Sequence, residues 1–554
     1  MSSLADTVLL NANIITVDDR FSLAEAVAVA EGRILAVGTA AEISAFAGPD
    51  TDIHDLGGRT VLPGFVEAHG HPTAEMNFLG PDCIDIRAVV CGTAEDVLRK
   101  IRDAVAEAGP GDWVVAFGWD PLLLPDLPPM SGRLLTELSP SVPLSVMHYS
   151  AHSSWANDAA MDRLGITADT PDPAGSEYCR YDDGSLTGEG KELPASMILM
   201  GPKLEVNDKT FNRYLASQLA RMAVAGVTAT GDLAFHPGSH GPVRSFFDST
   251  DAPVRIRAYE MSTPAGPARS AGADEDPMFR QVGAKVWTDG SPWIGNIETS
   301  FGYQDSPATR SIGLEAGHRG CSNYTAQELL AIGRQYVPAG WQLACHVHGD
   351  IAVDMVLEVV QQLQAEFPGT DRRFRLEHCG TITAEQIRRA HGLGITVSFF
   401  AAHIHYYGDV LIELFGERAQ AWTPAGAAAD CGMKFSLHND APVTPENPLL
   451  SMQVAMTRLT QSGVLLGPEF RIGIEDAIRS HTIHAAWQLF SEHEFGSIEP
   501  GKFADFVVLD RDPLQTPAAE VGSIEVLQTW LAGRLAHQTT VIRAAACLGD
   551  EKCS

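Results

Sequence analysis

Pro63-Gly64-Phe65-Val66-Glu67-Ala68-His69-Gly70-His71-Pro72 is the stretch on which the reading of this chain turns. Its apolar start reads as a short buried strand, and it ends in two histidines one residue apart. Side chains two apart on a strand project to the same side, so both imidazoles can reach one point. Neutral imidazole is the commonest metal ligand, and a strand end facing a cavity is where a catalytic ion would sit. An isolated His-x-His is also common as a solvated loop pair. The rest of the chain has to decide between the two.

Upstream of this stretch, the short apolar runs at 8–10, 14–17, 26–29 and 34–37 are punctuated by Asn, Asp and Gly, which predicts a small antiparallel sheet. Near the other end, residues 496–510 give a turn-rich lead into one more strand. A small β-sandwich domain built from both termini, 1–61 with 492–545, is therefore expected, followed by a tail over 546–554. Between them, apolar runs at 113–117, 144–148, 227–230, 284–287, 341–346, 374–378, 395–399 and 434–438 alternate with helical patterns such as 326–336, 351–365 and 384–390. Alternation of that kind predicts the α/β class, with a (β/α)8 TIM-like barrel over 62–491. Residues 73–192, rich in Pro, Gly and Asp, are too long for one connection. They are expected to form an inserted α/β segment after the first barrel strand, helping to roof the pocket.

Composition narrows the function classes. A 45% hydrophobic and 20% charged chain of 554 residues can bury a large core. Lys+Arg at 39 against Asp+Glu at 70 gives a net charge of −31, which repels phosphate backbones and anionic membranes. Neither a nucleic-acid partner nor a membrane partner is expected. Nine cysteines scattered without tight spacing read as reduced thiols, and the N-terminus shows no secretory pattern, so a cytoplasmic protein is predicted. No motif encodes oligomeric state, and a homo-oligomer stays open.

Polar residues with ligand chemistry recur where barrel strands should end: Lys285, His346, His378 and Asp440. The C-terminal ends of barrel strands converge on one opening, so these can meet His69 and His71. Six stretches in order then carry a resemblance: 62–71, Lys285-Val-Trp-Thr-Asp-Gly290, His346-Val-His-Gly-Asp350, Arg375-Leu-Glu-His378, Asn439-Asp-Ala-Pro442 and 496–505. Together they resemble the metal-dependent amidohydrolase superfamily, in its family 3 branch of N-substituted formamide deformylase-like and YtcJ-like proteins. The likeness runs from Val8 to Pro513.

The resemblance implies a metal-dependent hydrolase of non-peptide carbon–nitrogen bonds acting on a small molecule, with one or two divalent ions, zinc foremost. His69 and His71 resemble the first-strand ligands, His346 and His378 the fifth- and sixth-strand ligands, and Asp440 the eighth-strand aspartate that moves the proton. Lys285 sits where an N6-carboxylysine bridges two metals. Its alternative is an ordinary lysine paired with Asp289, leaving one ion. A linear amide, an N-formyl or N-acyl amine, is the expected substrate, ahead of a cyclic amide or imide. Ring deamination, decarboxylation and a non-catalytic, assembly-forming relative are the competing readings.

Several residues depart from that pattern or extend it. His348 stands where the family more usually has an apolar or small residue, and on a continuing strand it would share a face with His346, as ligand or substrate contact. His403 and His405 follow the seventh strand-like run and are candidate substrate contacts. His152 matches a recurrent family motif and is expected to touch substrate or support the roof. Trp119 and Trp287 are candidate apolar walls, with plain core as the alternative. His438, two before Asp440, could line the same face.

Overall fold

The computed structural model describes residues 4–150, 153–173, 176–191, 193–202, 208–263, 265–272, 276–369 and 371–539. Eight parallel strands form its centre: β1 (Phe65–Gly70), β2 (Val227–Phe235), β3 (Arg255–Met261), β4 (Phe279–Trp287), β5 (Gln342–Val347), β6 (Arg375–His378), β7 (Thr396–Phe399) and β8 (Ser436–Leu437). They pair in that order from β1 to β8. The β8 end is brought against β1 by Glu67, whose carboxylate accepts the backbone N–H of Asn439 at 3.1 Å and its side-chain amide at 2.7 Å. Every residue of β1, β6 and β7 is buried, as a parallel strand covered on both faces requires.

Helices pack outside this barrel, and their ends follow from the sequence. Thr325 with Glu328 and Thr383 with Gln386 form capping boxes at the starts of Ala326–Tyr336 and Ala384–Gly392. Between helices and strands lies the largest apolar cluster, with Leu215, Leu219, Val286, Leu343, Val353, Leu357 and Leu376 all buried. Each such side chain contributes about 1.5–3 kcal/mol by leaving water.

The runs at 113–117 and 144–148 are not barrel strands. They fall in Val114–Trp119 and Leu144–His148, which pair with each other in a separate six-stranded sheet whose strands lie between residues 84 and 191. This sheet, inserted between β1 and β2, has its own apolar cores. Short apolar runs look alike in either sheet, because what differs is the partner strand. Conversely, β3 carries Arg255, Arg257 and Glu260 among its apolar residues and so does not stand out. Both guanidinium groups are buried and paired, with Asp505 and Glu494 respectively.

The terminal segments form two sheets that share a core including Leu9, Ile14, Val27, Ile34, Val61, Phe506, Val508 and Trp530. They are mixed, not purely antiparallel as expected from their short spacing. Thr7–Leu10 runs parallel to Asp52–Asp55, and Asn13–Ile15 parallel to Thr60–Pro63. The forty or so residues between the members of each pair suffice for the crossover that parallel pairing needs. Among the described residues no helix is long and apolar enough to cross a membrane.

Candidate active site

His69 lies at the end of β1, and His71 just beyond it, at the turn into the helix Pro72–Phe78. Both reach the same carboxylate: His71 Nε2 is 2.9 Å and His69 Nε2 3.4 Å from Asp440 Oδ1. Lys285 on β4 donates from Nζ to His69 Nε2 at 3.2 Å. From β6, His378 Nδ1 is 3.8 Å from Asp440 Oδ2, and its ring centroid stands 4.4 Å from that of His346 on β5. Thus all six residues matched to ligands meet at the C-terminal mouth of the barrel. Ligand atoms of His69, His71 and Asp440 lie within 4.8 Å of one another, as do those of His346, His348 and His378, and those of His69, His378 and His438.

Hydrogen bonds fix which ring nitrogen each histidine presents. His69 Nδ1 donates to Glu377 Oε2 at 2.6 Å, which leaves Nε2 with its lone pair toward Asp440. Glu377 is held in turn by Arg375, 2.8 Å between Nε and Oε1. His346 Nε2 donates to the carbonyl of Gly290 at 3.0 Å, leaving Nδ1 free.

For His378 the chain of partners is longer. Gln488 Nε2 donates to Thr396 Oγ1 and to the carbonyl of Val397, so its Oε1 accepts the single hydroxyl hydrogen of Ser436 at 2.6 Å. The 2.7 Å contact between Ser436 and Ser398 is then donated by Ser398, which accepts from His438 Nδ1 at 2.8 Å. His438 Nε2 accepts from His378 Nδ1 at 3.0 Å, and the lone pair of His378 is left on Nε2.

Burial shapes the charges here. Desolvation holds His69 and His378 well below the ordinary imidazole range and His346 at about 4, with the Lys285 charge adding to the effect on His69 and His346. Burial would raise the Asp440 carboxyl, but the hydrogen bond and charge of His71, with His438 and Lys285, bring it down to about 2. Desolvation pushes the Lys285 ammonium down to about 8. Neutral imidazoles with pinned lone pairs around one ionised carboxylate are the donor set of a divalent cation, so the residues fit such an ion. His378, Cys379 and Asp440 adopt left-handed backbone, φ 70°, 54° and 53°, unusual for residues with side chains and concentrated where two of the donors, His378 and Asp440, must be aimed.

The alternative pairing of Lys285 with Asp289 is not formed. Asp289 instead accepts the backbone N–H groups of His348 and Gly349 at 2.9 and 2.7 Å. His348 lies beyond the end of β5, yet its ring stacks on His378, 4.9 Å between centroids and 9° between planes. His403 is buried on the helix Ala402–Phe415, its ring tilted against Phe400 at 3.8 Å and stacked on His348 at 5.7 Å between centroids. Trp287 ends β4, with its ring 5.4 Å from Lys285 Nζ.

Two expectations are corrected and one lies out of reach. His405 turns away: two residues along a helix is more than half a turn, and its ring packs on Tyr406 and bonds to the backbone of Leu459. Trp119 is a core residue of the inserted sheet, 1% exposed among Ile86, Leu135 and Val146, and not a pocket wall. His152 lies outside the described residues. Glu377, Ser398, Ser436 and Gln488 were not recognisable as site residues, because only their contacts with ligands mark them; Glu377 had a signal in standing next to His378.

A family model described as "Amidohydrolase family" matches residues 52–537. Among curated proteins, N-substituted formamide deformylase of Arthrobacter pascens is 29% identical over 98% of this chain and 100% of its own length. Protein LONG AFTER FAR-RED 3 of Arabidopsis thaliana is 29% identical over 96% of this chain and 91% of its own length. Among solved structures, an uncharacterized metal-dependent hydrolase from Pyrococcus horikoshii OT3 superposes with a TM-score of 0.72 at 21% identity, covering 92% of this chain and 99% of that one. With a barrel mouth carrying the ligand motifs and a family match over most of its length, the chain belongs to the amidohydrolase family and is an enzyme acting on carbon–nitrogen bonds.

Proposed function

We propose that the chain hydrolyses a linear amide of a small molecule, an N-formyl or N-acyl amine, with the help of one or two zinc ions. The observation that carries the reading is the meeting of His69, His71, His346, His378 and Asp440 at one barrel mouth, the lone pairs of His69, His346 and His378 each aimed by a partner on the other ring nitrogen, while His71 Nε2 donates to Asp440. Full-length similarity to a protein named N-substituted formamide deformylase supports a linear amide over a ring.

A bound divalent ion supplies a lowered pKa for its water, from about 15.7 toward about 7, and polarises the substrate carbonyl. The chain's own residues do the rest. His69, His71, His346 and His378 would hold the ion or ions with Asp440, and a carboxylated Lys285 would add oxygen donors between two of them. Asp440, kept ionised by His71, accepts the proton of the attacking water at a carboxylate oxygen and returns it to the departing nitrogen. Trp287 and His403 flank the substrate.

Metal analysis of the purified protein beside a substrate screen tests this. Linear formamides and acyl amines should be turned over, with loss on chelation and recovery on adding zinc or manganese. Protein free of metal and not rescued by it would remove the metal from the mechanism. Opening of lactams or imides alone would replace the substrate class and leave the metal in place.

A further inference from the structure

The imidazole of His348 has no place in the reading above, yet it is more tightly built in than the position requires. It is 3% exposed, and its Nδ1 is buried without a hydrogen-bond partner among the described residues. A buried polar atom left unpaired in a native fold calls for a ligand or another cause. The backbone is pinned from both sides: the N–H donates to Asp289 beyond β4, and the carbonyl accepts the N–H and hydroxyl of Thr381 beyond β6, both at 2.9 Å. The ring is clamped between His378, at 4.9 Å, and Trp422, at 5.9 Å. Gly380 leaves the room for this, since a Cβ there would collide with the Trp422 ring and stand 2.9 Å from His348 Nδ1. One ring nitrogen of His348 lies within 4.8 Å of ligand atoms on His346 and His378. Those two neighbours already have one nitrogen committed to Gly290 and His438, and so present the other toward the shared space.

We propose that His348 is itself a metal ligand, forming with His346 and His378 a three-imidazole site at the ends of β5 and β6 that holds its ion without an oxygen donor from Lys285. Three imidazoles with a fourth position open is a donor set that zinc accepts in catalytic sites. His69, His71 and Asp440 would then make up the second position, and Lys285 would tune or bridge the pair without being required for the β5–β6 ion. The inference rests on the metal reading of this mouth but goes beyond it, because it reassigns the donors on one side.

Anomalous diffraction from crystals of the zinc-loaded full chain tests it directly. The expected result is a peak about 2.0–2.1 Å from a ring nitrogen of each of His346, His348 and His378. The same peak should persist in Lys285→Met. In solution, His348→Phe should bind the β5–β6 ion at least about tenfold more weakly by cobalt titration, with the other ion unaffected. Peaks that leave His348 clear of every ion, unchanged cobalt affinity in folded His348→Phe, or loss of the three-histidine peak in Lys285→Met would each overturn the proposal. If His348→Phe does not fold, the wild-type diffraction decides alone. No peak at all in the loaded wild type would instead sink the metal reading of the whole mouth, a distinguishable failure.

Discussion

At the residue scale, Asp440 and Glu377 are both buried carboxylates beside histidines, but their surroundings separate their roles. Asp440 faces His71 and His69 across the mouth, where an attacking water would stand. Asp440→Asn should lower turnover by about 10²–10⁴-fold while keeping bound metal, checked by kcat and metal content on the same preparation. Glu377 sits one layer below, accepting from His69 Nδ1 and paired with Arg375. Glu377→Gln should weaken metal binding by about 10–100-fold, read by competition with a chelating dye. An unchanged affinity would show that the tautomer of His69 needs no such anchor.

At the scale of elements, the join between barrel and terminal sheets includes a fully buried ion pair. Arg255 of β3 donates to both oxygens of Asp505, each at 3.1 Å, and Asp505 also accepts the backbone N–H of Ala532. Asp505 just precedes the strand Phe506–Leu509, which pairs with Thr60–Pro63, the strand that leads into β1. The recurring 496–505 motif is thus a structural joint, far from the chemistry. Asp505→Ala would strand a guanidinium that is 1% exposed, and should cost about 3–5 kcal/mol in denaturant unfolding. A loss below 1 kcal/mol would mean that water or another acceptor reaches Arg255.

For the whole molecule, opposed groups of buried titratable side chains set how stability varies with pH. Eight imidazoles, the buried His69, His348, His378, His403, His438 and His481 and the half-buried His346 and His484, are held below their ordinary value near 6.5 by desolvation, His403 and His481 down to about 3. Below pH 6.5 the unfolded chain binds protons that the folded chain refuses, so each imidazole removes stability as the pH falls, by about 1.4 kcal/mol per unit. Desolvation raises Glu67 and Asp289 to about 8 and Asp120 to about 7. There the folded chain holds protons that the unfolded chain releases, and that stability is lost as the pH rises through 7 and 8. Imidazoles outnumber these carboxyls in the acid arm, and in the basic one the three carboxyls outnumber Lys285, whose ammonium, lowered to about 8, acts in the opposite sense. Chelator-treated protein should therefore unfold at its highest denaturant midpoint near pH 6.5, lower at both pH 5 and pH 8. A midpoint that climbs steadily in either direction would contradict this balance.

The order of motifs along the chain was enough to indicate a barrel with a metal-binding mouth. Apolar runs alternating with helical patterns, and ligand-type residues at the ends of those runs, are local properties that a barrel converts into convergence, because all its strands point the same way. Six positions could be named in that manner. Local pattern could not say which way His405 would turn, that Trp119 belongs to the core of another sheet, or that an arginine-bearing run is β3. Each of those depends on a partner strand or helix far along the chain. The same holds for the layer beneath the ligands: Glu377 meets His69 across 308 residues, and Gln488 orients His378 through Ser436, Ser398 and His438. Sequence carries the donors, since ligand chemistry is a matter of residue type. Which nitrogen each one presents is settled by hydrogen bonds that exist only once the barrel has closed.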